Sequence, residues 1–279
     1  MQRCTVASGR LPIVGVMAPD TVSRPTLVLV DTFKGGTGKT TTALWLARSL
    51  AATGEKVLLG GLSPQNDLDV GGGVIPGSYN GVRDVLAIGG GEPFVAEAGE
   101  NLWYAPAGMS ALPGEDPGVG DLYRRLAVER DCRWCVVDGI NFLQDVSWWV
   151  LDSAEVFIIP TFVEAQPVNA ALRTLRAVSQ YQVELHRLQM LAVARLLLVA
   201  VPPPSQRSAA TVELFDALRG EYGDFILAAE VRRTARRSVS EAEMLVGTHL
   251  RTALAGPRIE ADYKAVAAEV KTLLEAADE

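Results

Sequence analysis

The stretch Lys34-Gly35-Gly36-Thr37-Gly38-Lys39-Thr40-Thr41 holds residue types and spacing that could handle phosphate. It follows the apolar run Leu27 to Val30 and precedes a helical pattern, so it reads as strand, glycine loop and helix. In such a loop the backbone N–H groups turn inward on phosphate oxygens, and the helix N-terminus adds its dipole. Lys39 supplies a point charge for β- and γ-phosphates, and the Thr40 hydroxyl suits Mg²⁺. The strict pattern G-x-x-x-x-G-K-[ST] fails here, because its first glycine falls on Phe33. A second lysine, Lys34, opens the loop instead.

Two other groups could do chemistry. Asp138 ends the apolar stretch Trp134 to Val137 and puts a carboxylate at a strand tip. Arg232, Arg233, Arg236 and Arg237 place four guanidiniums in six positions, enough to neutralise several phosphates of duplex DNA without reading sequence. A solvated arginine run beside Glu230, Glu241 and Glu243 is the plainer reading. No aromatic residue interleaves with the run, which disfavours single-strand stacking. Cys132 and Cys135 form a lone C-x-x-C without a second pair, so they read as thiols rather than zinc ligands. His186 and His249 lack a ligand pattern. The adjacent Trp148 and Trp149 read as helix-to-core packing, with a partner contact as the alternative.

The elements that must position these groups alternate between short apolar strands and helices. Strands are expected at Leu27 to Val30, Val57 to Leu59, Leu102 to Tyr104, Trp134 to Asp138, Val156 to Ile159 (stopped by Pro160), Leu196 to Val201 and Phe225 to Val231. Helices are expected after the loop up to Gly54, at Leu122 to Glu129, Val168 to Leu188 and Ala209 to Leu218. A terminal helix should bury Tyr263, Val266, Val270, Leu273 and Leu274. The pattern implies an α/β fold, a mostly parallel sheet with helices on both faces. Ligands of such sheets sit beyond the carboxyl ends of the strands, where both the loop and Asp138 fall.

The loop, Asp138 and Ile158-Ile159-Pro160 together resemble the ParA/MinD family of deviant-Walker P-loop ATPases, its ParA partition branch most closely. The resemblance runs from Thr26 to the C-terminus, with Ser240-Glu241-Ala242 echoing a late motif. It implies ATP and Mg²⁺ as cofactors, bound through Lys34 to Thr41, with Thr40 and Asp138 at the metal and Lys34, Lys39 and Asp138 in catalytic roles. It also implies that Lys34 reaches the partner's nucleotide in an ATP-sandwich homodimer, and that Gly35 stays small for that interface. Nonspecific duplex DNA bound through the late arginines, and a ParB-like activator, complete the implied partners. The family's D-x-D-P-Q is here Gly61-Leu62-Ser63-Pro64-Gln65, so both carboxylates are missing. Asp67 and Asp69 lie too far along to replace them. Gly139-Ile140-Asn141 lacks the family's proline, and Pro202-Pro203-Pro204 stands where relatives help seat the base. ATP binding is therefore expected to be better preserved than hydrolysis, and a pseudo-ATPase, gated by occupancy alone, is the rival reading.

Composition sets outer bounds. The 279 residues are 48% hydrophobic, enough for one large core, and read as an N-terminal extension over 1–25 followed by a single domain over 26–279. The net charge of −7 argues against a surface that grips nucleic acid all over, though not against a local basic patch. No apolar run approaches the ~20 residues that span a bilayer. The first 25 residues lack a signal-peptide pattern. A MinD-like membrane helix is disfavoured by six acids against two lysines in Glu260 to Glu279. The expected location is cytoplasmic and nucleoid-associated.

Overall fold

In this computed structural model the structure describes residues 24–64, 68, 79–112, 114–140, 145–184, 193–233 and 257–275. The chain threads β1 (Thr26–Val30), α1 (Lys39–Ala51), β2 (Val57–Gly61), α2 (Val82–Ile88), β3 (Ala96–Gly99), β4 (Leu102–Ala105), α3 (Val119–Val128) and β5 (Trp134–Asp138). It continues through α4 (Asp145–Leu151), β6 (Val156–Phe162), α5 (Ala165–Glu184), β7 (Val193–Val199), α6 (Ala209–Tyr222) and α7 (Pro257–Glu275). The strands form one seven-stranded sheet in the order β3-β4-β2-β5-β1-β6-β7, with only β3 antiparallel. The expected doubly covered, mostly parallel sheet is what forms.

Period-two alternation splits the core into two layers. Val28, Val30, Trp134 and Val136 face α1 and α7, whereas Leu27, Leu29, Cys135 and Val137 face α3, α4 and α5. α1 opens on a poor helix-forming run, Thr40 to Thr42, and is held by burial of Ala43, Leu44, Leu46, Ala47 and Leu50. The Thr42 hydroxyl meets Tyr263 at 3.1 Å and ties α1 to α7. Tyr263, Val266 and Val270 are buried as the terminal amphipathic pattern requires.

Several elements differ from expectation; α2, α4 and the earlier start of β7 were not foreseen, and three further cases have a plain reason. β6 runs through Pro160 to Phe162 rather than stopping before it. Ile158 carbonyl accepts from Asp31 N, so Pro160 faces the same side, beyond the last β1 pairing at Val30↔Ile158, where a missing N–H breaks no ladder. Phe225 to Val231 is not a strand. It makes single bridges at Leu196↔Ile226 and, just beyond it, Val201↔Arg232, with a 3-10 turn at Gly223–Phe225. β3 was not expected, because its sequence Ala-Glu-Ala-Gly has neither alternation nor β-formers.

A candidate nucleotide site at the carboxyl edge of the sheet

β1 delivers the chain to the loop through three residues that bind backward into the fold. Asp31 is fully buried; its carboxylate accepts from Thr32 N at 2.7 Å and from the Ser147 hydroxyl of α4 at 2.5 Å. Phe33 N donates to the Thr174 hydroxyl of α5 at 3.0 Å. The loop thus starts from a base anchored to two helices.

The loop then turns on two left-handed glycines, Gly36 at φ +72° and Gly38 at φ +90°, a region that favours glycine. A methyl group built on Gly35 or Gly36 would meet no heavy atom within 4 Å, so space above the loop is open. Among the described residues nothing requires Gly35 to be small; the constraint implied by a dimer would come from a partner. The Lys34 carbonyl accepts from the Thr37 hydroxyl and from Lys39 Nζ, both at 3.3 Å, folding the Lys39 side chain back over the loop. Thr40 stands in the first turn of α1 and its hydroxyl bonds to no described residue, while Thr41 is exposed. Lys34 points aside, with Nζ 3.4 Å from Gln166 Oε1 near the start of α5.

Asp138 is buried and pairs in register with Val30 and Gly61. Alternation puts it on the α1 face, the face of Lys39 and Thr40. Gly139 follows, and a methyl there would lie 2.3 Å from the Asp31 carboxylate, so only glycine fits over that buried charge. The glycine loop, an open cradle, a folded-back lysine and a carboxylate on the same face fit a Mg-nucleotide: Lys39 and loop N–H groups toward phosphates, Thr40 and Asp138 toward the metal.

A family model described as an AAA domain matches residues 26–97. The chain is 30% identical over 181 residues to Maintenance of carboxysome distribution protein A of Synechococcus elongatus, covering 60% of this chain and 70% of that protein. The chain belongs to the ParA/MinD family of P-loop ATPases. It is also 28% identical over 247 residues to Chromosome-partitioning ATPase Soj of Thermus thermophilus, covering 85% of this chain and 92% of that one. The solved complex of a Cyanothece McdA variant with ATP superposes with a TM-score of 0.68 at 19% identity, covering 89% and 97% of the two chains.

Against that ParA/MinD background the missing carboxylates can be placed. Gly61 carbonyl accepts from the Tyr123 hydroxyl at 2.6 Å, and Leu62 carbonyl accepts from Arg83 at 3.0 Å. Among the described residues a methyl on Gly61 would meet nothing nearer than the Tyr104 hydroxyl at 3.5 Å, so their packing does not force the loss of a side chain there. Gly60 is different: a methyl would strike the Tyr123 ring at 2.3 Å. Gln65, Asp67 and Asp69 lie outside the described residues, as do Asn141 and the Ser240-Glu241-Ala242 motif. The last residue of β7 reaches the loop, since Val199 Cγ2 lies 3.6 Å from the position of a Gly38 methyl.

Of the late arginines, Arg232 and Arg233 lie among the described residues. Arg232 donates to both Asp262 oxygens through Nε at 3.0 Å and to Oδ1 through a terminal nitrogen at 2.6 Å. That carboxylate, through its hydrogen bonds and charge, raises the Arg232 pKa. The Arg232 side chain thereby clamps α7. Arg233 is exposed, and its backbone N–H donates to Val201. Arg236, Arg237, His186 and His249 lie outside the described residues. Trp148 packs on Tyr181 with ring centroids 4.7 Å apart. Cys132 and Cys135 are buried, and desolvation raises both thiols, Cys132 to about 11.

Sequence reasoning missed Asp31, Ser147 and Thr174. Asp31 had a readable signal, a carboxylate directly after a buried strand, as at Asp138. Ser147 and Thr174 had none, because each becomes significant only through a contact more than a hundred residues away.

Proposed function

We propose that this chain is an ATP-gated switch of the ParA type that positions or segregates a cargo. The observation that carries the reading is the loop itself, where two left-handed glycines, the folded-back Lys39 and open space above Gly35 and Gly36 form a phosphate cradle facing outward. Lys34 to Thr41 hold ATP, with Thr40 and Asp138 toward Mg²⁺. Lys34, whose ammonium meets only Gln166 among the described residues, swings to a partner subunit's nucleotide and makes a homodimer depend on the γ-phosphate. A relative named for carboxysome distribution and another named for chromosome partitioning support a positioning role.

The dimer binds duplex DNA nonspecifically through Arg233, Arg236 and Arg237, with Arg232 committed to Asp262. A ParB-like activator resets it, and the protein works in the cytoplasm on the nucleoid. No helix among the described residues is long and apolar enough to cross a membrane.

Gly61 and Ser63 favour a second reading, a pseudo-ATPase whose state follows occupancy rather than turnover, because water positioning supplies much of an NTPase's chemistry. One experiment separates the two: ATP turnover and oligomeric state measured together with Mg²⁺, with and without nonspecific duplex DNA. Turnover with dimerisation marks a working switch. Dimerisation without turnover marks a nucleotide-held clamp, and failure to bind ATP removes both readings.

A further inference from the structure

The far end of α1 borders a second concave site. A cleft of about 580 Å³ lies between the last turn of α1 and the β3–β4 hairpin, within the size range of small-ligand sites. Arg48 is nine residues beyond Lys39, about 14 Å along the helix at ~1.5 Å per residue, so the cleft opens away from the phosphate loop. Ala51, Ala52, Ala98 and Leu102 give it an apolar lining.

One cation projects there without an anion. Arg48 is half-buried, its guanidinium carbon 5.1 Å from the centre of the Trp45 ring, and it makes no hydrogen bond or ion pair to any described residue. Glu55, four residues past the end of α1, is taken: it accepts from Lys271 at 2.9 Å and from the Trp134 indole, and faces Arg133 at 3.6 Å. Burial lowers the Arg48 pKa from its ordinary value, yet a guanidinium stays charged near neutrality. Such a group has lost water without gaining a counter-charge, a cost that a docking anion recovers. The Ala52, Thr53 and Gly54 N–H groups cap the carbonyls of Arg48, Leu50 and Ala51 at 2.9 to 3.0 Å, so these three do not stand as bare acceptors beside the cleft.

We propose that this cleft binds a carboxylate carried on an apolar body, its oxygens on the Arg48 fork and its body on the alanines and Leu102. One planar guanidinium matches one carboxylate bidentately. A phosphate dianion fits less well, since no second free cation lines the cleft among the described residues and Glu100 stands exposed at its rim. The group comes either from a small organic acid or from an acidic side chain of an extended peptide beside β3, one of the two edge strands of the sheet. The site is independent of the nucleotide reading.

The test titrates the full chain with 3-phenylpropionate and with the capped peptide acetyl-Val-Glu-Val-amide, following arginine Nε–H signals by NMR. Saturable shifts are expected for the Arg48 signal, with 3-phenylpropionamide inert. Binding weakens by at least about tenfold in Arg48→Gln, the loss expected for a charge-assisted pair. Ala52→Leu, at an exposed position, fills the cleft with Arg48 intact and serves if Arg48→Gln fails to fold. Response to the acid alone identifies a metabolite-sized ligand, and response to the peptide alone a partner segment. Silence with both probes, or affinity unchanged in the variants, overturns the site.

Discussion

At the residue scale, Lys39 and Asp31 show two uses of a charge withdrawn from water. The Lys39 ammonium is nearly buried and has three N–H donors, of which one meets the Lys34 carbonyl. The others are free to meet phosphate oxygens. Lys39→Ala should therefore lower ATP affinity by about 10- to 100-fold, the range for charge-assisted bonds, with little effect on folding because alanine suits the first helical turn. Calorimetry reads this directly, and an unchanged Kd removes the phosphate role. Asp31 is a structural charge instead, pinning the loop's base to Ser147 beneath Gly139. Asp31→Ala leaves the Thr32 N–H and the Ser147 hydroxyl without this acceptor and should cost about 2–4 kcal/mol. Asp31→Asn, which can still accept from Thr32 N and donate to Ser147, should cost less than half as much in urea unfolding. Equal losses would show that charge, not hydrogen bonding, holds the base.

At the scale of elements, the segment leaving β2 is where the proposed switch and the pseudo-ATPase reading part. Its backbone is already fixed by Tyr123 and Arg83, and a side chain at Gly61 meets only ordinary contacts. The double change Gly61→Asp with Ser63→Asp should then raise ATP turnover at least about tenfold, given the weight of water positioning in such enzymes. A steady-state assay showing no gain would mean the geometry, not the missing carboxylates, limits the chemistry. Arg232 belongs to this scale too. Arg232→Ala should lower the urea midpoint by freeing α7 while leaving the salt slope of DNA binding unchanged, whereas Arg233→Ala should lower that slope by about one and spare stability. The sequence made the strand–loop–helix unit, β5 with Asp138 and the buried face of α7 legible, since each is carried by local periodicity or spacing. It could not show that Pro160 sits harmlessly inside β6, that Arg232 is spent on Asp262, or that β3 pairs at all. Those depend on which neighbour faces each backbone group, and only the assembled sheet settles that.

At the scale of the whole molecule, the sheet brings Lys34 and Asp138 to one edge and places the Arg48 cleft along α1 from the nucleotide loop. Lys34 is at the outer side of the loop, bonded to α5 only through a 3.4 Å contact with an exposed glutamine. An amide oxygen in water holds an ammonium weakly, so little opposes its transfer to a strongly anionic triphosphate on another subunit. Within its own chain Lys34 contributes mainly its backbone carbonyl to the cradle, and a side-chain truncation leaves that carbonyl in place. Lys34→Ala should keep ATP affinity within about threefold of the parent, a difference under ~0.7 kcal/mol, while abolishing dimers formed with ATP and Mg²⁺. Sedimentation with matched calorimetry measures both. Dimers that persist in Lys34→Ala would mean that the γ-phosphate is read across the interface by another group, and loss of binding together with dimers would place Lys34 inside its own site.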